Sequence, residues 1–143
     1  MGLERICHEG KTLGLVLRSD FEQEGIHFFT PGDFSQQLAY MKRPAGYVID
    51  PHVHNIVPRS VDLTQEVLFI KKGKVRVDFY GQDQTYLESR VLNAGDVILL
   101  AHGGHGFTML EPSEIIEVKQ GPYAGEQDKV RFTGVSKDKI QAC

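Results

Sequence analysis

The chain has 143 residues, 41% of them hydrophobic and 24% charged, with a formal net charge of −3. That length suits one domain around one core, and the weak negative charge gives no reason to expect nucleic acid or an anionic membrane surface as a partner. No segment approaches the roughly 20 apolar residues of a membrane helix, and Cys7 and Cys143, near opposite ends, read as reduced thiols of a cytoplasmic protein rather than as a disulfide framework.

In chain order, residues 12–18 and 26–30 are short apolar runs with β-branched residues and read as strands, the second stopped by Pro31-Gly32. Residues 36–41 read as a third strand, broken by Pro44-Ala45-Gly46. His52 and His54 follow at a spacing that puts both imidazoles on one face of an extended strand. Residues 55–62 have no clean period and contain Pro58, so they read as a loop at the mouth of a site.

Residues 66–70 and 74–80 flank Lys71-Lys72-Gly73 as a hairpin, with Val75, Val77 and Phe79 facing in and Lys74, Arg76 and Asp78 facing out. Lys71, Lys72, Lys74 and Arg76 read as its solvated basic edge. Strands are expected at 86–92, 97–100, 107–110 and 115–119. The run 97–100 is apolar on both faces, as a strand between its own core and another layer or subunit would be. The run of glycines around His105 reads as a turn. Short strands at regular spacing without a 3.6-residue period predict an all-β sandwich or barrel with few short helices.

Two ordered motifs sharpen this. Gly46, a five-residue gap, His52-x-His54, then Glu66, a six-residue gap and Gly73 form the first; Gly95, Asp96, Gly103 and His105, with Phe107 after it, form the second. The chain resembles the cupins in both motifs, over about residues 36–120, leaving N-terminal strands at 11–35 and a polar tail at 121–143 outside. It departs from the family pattern in three places: eleven residues separate His54 from Glu66, Ala101 stands where a proline is usual, and His105 comes one residue early.

The resemblance implies a single-domain double-stranded β-helix, or jelly-roll barrel, commonly a homodimer. It also implies a divalent metal ion, Fe, Mn, Ni or Zn, held by His52, His54, Glu66 and His105, with Gln65 or Asp62 as alternatives to Glu66. Three nitrogens and one oxygen leave two octahedral positions open for a ligand that chelates through oxygen. The function expected on this basis is a metal-dependent isomerase or epimerase acting on a small sugar or organic acid, with His102, Arg59 and Tyr40 as candidate catalytic or substrate contacts. A metal-dependent dioxygenase and a non-catalytic small-molecule binding protein are the alternatives. A metal-free epimerase would instead pair a histidine base with a carboxylate and use a tyrosine acid. Titratable groups buried beside the ligand favour an enzyme; a purely apolar pocket favours a binding module. His8 and His27 have no supporting spacing and read as surface or structural histidines.

Overall fold

The computed structural model describes residues 2–142, and they form an all-β protein. Ten strands run in order: β1 (Leu3–His8), β2 (Lys11–Leu17), β3 (Gly25–Phe28), β4 (Ala39–Lys42), β5 (Glu66–Lys72), β6 (Lys74–Tyr80), β7 (Tyr86–Asn93), β8 (Val97–Leu100), β9 (Gly104–Met109) and β10 (Glu114–Lys119). Two short 3₁₀ turns in the tail, Gly125–Asp128 and Lys137–Lys139, are the helical elements described. Among the described residues no helix is long and apolar enough to cross a membrane.

The strands make a five-stranded sheet ordered β1-β2-β8-β5-β10, a three-stranded sheet ordered β7-β6-β9 and the hairpin β3-β4. Alternation along β6 explains how the two larger sheets face each other. Val75, Val77 and Phe79 point at Leu68, Ile70, Ile98 and Leu100 of the larger sheet and, with Ile6, Leu13 and Leu92, are buried in one core. The doubly apolar strand β8 has the second layer it requires, supplied by the same chain. Leu99 turns away from that core and packs with Leu15, Leu17 and Phe29, which Phe34, Leu38 and Tyr40 flank.

Two turns hold the strand order. Gly73 joins β5 to β6 at φ +90°, and a Cβ there would lie 2.4 Å from the Pro112 carbonyl oxygen. Gly73→Ala is therefore expected to lower stability by about 1–3 kcal/mol, read as a shifted denaturant midpoint at unchanged slope. Asp96, almost wholly buried, accepts hydrogen bonds from the Ser19 and Asn93 backbone N–H groups, each at 2.8 Å, and from Arg18 at 3.0 Å. The Gly95-Asp96 pair of the second motif thus pins the β7–β8 turn to the end of β2.

Several expectations change. The sheets do not close into the jelly-roll barrel: β9 and β10 each end a sheet, and no described strand bridges them. The stretch carrying His52 and His54 is not a strand, because it has no neighbour to supply a ladder. β1 was not anticipated; only Ile6 of its side chains is buried, and β2 supplies its hydrogen-bonding partner. β9 begins at Gly104 rather than at residue 107, so the glycine-rich run is largely strand, paired to β6. Asp78, expected to face water, is covered. Arg76 lies 2.8 Å away, the Ser89 hydroxyl donates to it, and the tail crosses nearby, with the Gln141 N–H donating to the Tyr86 hydroxyl.

Candidate functional site

A cavity of about 740 Å³ lies where β5, β9 and β10 meet residues 127–134 of the tail. Period-two alternation sets its polar floor. Glu66 starts the inward row of β5 that continues as Leu68 and Ile70, and antiparallel register places Lys119 opposite Glu66 and Glu117 opposite Leu68. His105 enters from β9, opposite Phe79. Gly103 makes that entry possible: at φ +75°, a Cβ would come within 2.5 Å of the Tyr80 carbonyl oxygen.

His105 Nε2 lies 3.5 Å from Glu66 Oε1, with the side chains 27% and 13% exposed. Phe107 meets the imidazole edge-on at 5.6 Å between ring centres. The His105 imidazole, hydrogen-bonding to Glu66, holds that carboxyl down to about 2 against the opposing effect of burial, and Glu117 and the charges of His105 and Lys119 assist. Glu117 moves the other way. The neighbouring Glu66 carboxylate, which favours the protonated form of Glu117, and then burial push its carboxyl up. Two neighbouring carboxyls are thus driven apart, one kept ionised and one inclined to hold a proton, which is how environment separates acid and base roles. At the rim, Lys119 Nζ is 3.6 Å from Asp128 Oδ2, and the Thr64 hydroxyl donates to Asp128.

The lowered Glu66 pKa has a consequence for stability. Its ionised form is favoured in the folded state, so its contribution is full above the ordinary carboxylate value of 4.5 and is lost as the pH falls towards 2. The melting temperature of the wild type is expected to drop more steeply across that window than that of Glu66→Gln; parallel curves would contradict the linkage.

Of the four residues assigned to a metal by resemblance, the fold brings Glu66 and His105 together. His52 and His54 stand on the exposed segment before β5, their rings 5.2 Å apart and His52 Nδ1 2.9 Å from the Asp50 carbonyl oxygen. Among the described residues, no three His, Cys, Asp or Glu side chains are grouped to hold a metal ion, so the described part of one chain does not present the three protein ligands that a resident ion ordinarily takes. Gln65 is buried and accepts a hydrogen bond from the Gln36 N–H, whereas Asp62 reaches the cavity wall. Tyr40 packs edge-on against Phe21 at 4.8 Å, His102 lies beside Phe34 and Arg59 is exposed; among the described residues none of these three lines the cavity. Cys7 is exposed, and Cys143 lies outside the described residues.

Glu117, Lys119, Tyr80 and Asp128 were missed. A charged residue between Ile116 and Val118 was a visible signal for Glu117, since alternation puts it on the face opposite both. Nothing local marked Asp128, which reaches the site only because the tail folds back. No protein-family model, no curated protein and no solved structure matches this chain.

Proposed function

We propose that the protein is an enzyme that moves a proton on a small, oxygen-rich molecule, an isomerase or epimerase of a sugar or organic acid, using His105, Glu66 and Glu117. The observation that carries this reading is the convergence, in one cavity, of an imidazole with two carboxyls whose pKa values are pushed in opposite directions. A binding module for an apolar ligand would not require such a floor.

The roles follow from the contacts. Glu66 faces Nε2 of His105, so the tautomer that satisfies it carries its hydrogen on Nε2 and leaves Nδ1 as the basic nitrogen. Nδ1 takes a proton from a carbon next to a carbonyl, and the C–H electron pair becomes the C=C bond of an enediol. Glu117, protonated, delivers its proton to the carbonyl oxygen, so charge does not accumulate there. Return of that proton from Nδ1 to the neighbouring carbon, while ionised Glu117 takes the proton of the hydroxyl there, completes isomerisation. For epimerisation water delivers a proton to the other face of the first carbon, Glu117 takes back the one it gave, and His105 releases its own to solvent, so neither course involves net oxidation. Lys119 and Lys129, on the cavity wall, suit an anionic group on the substrate.

The cupin resemblance implies a metal at Glu66 and His105. Within one chain the ligand set is short, so no step of this scheme is routed through an ion. The test is incubation in D₂O with a panel of aldoses, ketoses and oxo acids, followed by proton NMR. Replacement of a carbon-bound hydrogen by deuterium next to a carbonyl is expected for the substrate class. Binding of these molecules without exchange would favour the non-catalytic alternative, and coupled oxygen uptake would favour the dioxygenase.

A further inference from the structure

Residues 43–62 form an arm in which every residue is exposed and none belongs to a strand or helix. Its described backbone contributes one backbone–backbone hydrogen bond, from the Tyr47 N–H to the Pro44 carbonyl oxygen. Yet it is rich in large apolar side chains. Val53 is 89% and Ile56 98% exposed, and Tyr47, Val48 and Ile49 are also in water. Apolar side chains and unpaired peptide groups together describe a strand without its sheet.

The same chain has a sheet edge without its strand. β10 ends the five-stranded sheet, and its outward row, Ile116 at 52% and Val118 at 58% exposure, lies beside Phe69 of β5. That apolar patch continues the face that Phe29, Phe34 and Leu38 cover further along the sheet, where Val67 is half-buried. An exposed apolar edge of this kind is what native sheets ordinarily protect. Between Ile49 and His54 the arm's alternation also matches the edge on both faces. As an added strand this stretch would put Ile49 and Val53 on one side, beside Ile116 and Val118, and Asp50, His52 and His54 on the other, beside Glu117 and Lys119.

We infer that two copies of this chain exchange these arms, each arm adding to the β10 edge of the other copy. A second copy is the occupant because arm and edge are free at once in a single chain, and because two identical chains can satisfy both reciprocally in a closed twofold dimer. The exchange sets His52 and His54 of each arm at the mouth of the partner copy's cavity, beside Glu66 and His105. That last point rests on the cavity being the functional site; the dimer does not.

The test begins with sedimentation of the full chain at micromolar concentration. The wild type is expected to be a dimer, and the double variant Ile49→Asp/Val53→Asp to dimerise at least about 100-fold more weakly while keeping the wild-type far-ultraviolet circular dichroism spectrum, because both residues are exposed in the single chain. A cysteine pair, Val53→Cys with Val118→Cys in a Cys7→Ser/Cys143→Ser background, is expected to oxidise to a covalent dimer. A monomeric wild type, a dimer indifferent to the arm substitutions, or a cysteine pair that closes within one chain would each overturn the exchange. Titration of the dimer with Mn²⁺ or Zn²⁺ alone separates this inference from the proposed chemistry. One ion per chain, lost in both His54→Ala and His105→Ala, supports the exchanged arm and removes His105 as the free base.

Discussion

His105→Ala is expected to lower the rate of carbon-bound hydrogen exchange by about 10²–10⁴-fold, the range over which a positioned acid or base contributes. The loss should fall on kcat more than on KM, because the imidazole acts on a proton in transit while Lys119 and Lys129 offer the contacts for the ground-state ligand. Glu66→Gln retains the side chain's shape but removes the charge that fixes the tautomer, so a smaller loss is expected, accompanied by a shifted pH profile. Glu117→Gln should separate the acid from the base: if Glu117 supplies the proton, the limb of the rate profile on which activity falls with rising pH disappears in the variant. A His105→Ala enzyme with wild-type exchange would remove the mechanism altogether.

Phe79→Ala carries the largest expected effect on stability. Phe79 is 1% exposed, packed between the sheets, and its ring edge approaches within 3.0 Å of the position a Cβ on Gly14 would occupy. Deleting a buried phenyl group ordinarily costs about 3–5 kcal/mol, a large part of the 5–15 kcal/mol that holds a domain of this kind together. The fall in melting temperature should be roughly 10–20 °C. The same substitution at Phe28, exposed on β3, is the control and should change little. A Phe79→Ala protein melting within a few degrees of wild type would mean that the two sheets do not pack as described.

Which parts of this were legible in the sequence depended on whether the determining contact was local. β6 alternates strictly and lies between a glycine turn and Gly81, so its bounds and its inward row were readable. β8 announced a second layer through four consecutive apolar residues, and Leu99 has it. Glu66 and His105 could be singled out by motif, and the fold brings them together, 3.5 Å apart. Elsewhere the decisive partner was remote. β1 is a strand because β2 lies beside it and Glu4 meets Arg18, 2.7 Å away, which no local pattern declares. The spacing of His52 and His54 is right for a strand, but a strand also needs a neighbour, and the described chain gives them none. Glu117 became a site residue through the register of β5 with β10, and register between strands far apart in sequence is written in no single segment.

The central claim is that the Glu66 and Glu117 carboxyls, beside His105, titrate as one coupled pair. It is tested most directly by NMR titration of the side-chain carboxyl carbons in glutamate-labelled protein, with Glu66→Gln and Glu117→Gln providing the assignments. The account predicts that Glu66 titrates at about 2, that Glu117 titrates above the ordinary value of 4.5, and that each substitution moves the other carboxyl back towards that value. Two carboxyls that titrate independently near 4.5, unaffected by each other's removal, would contradict it.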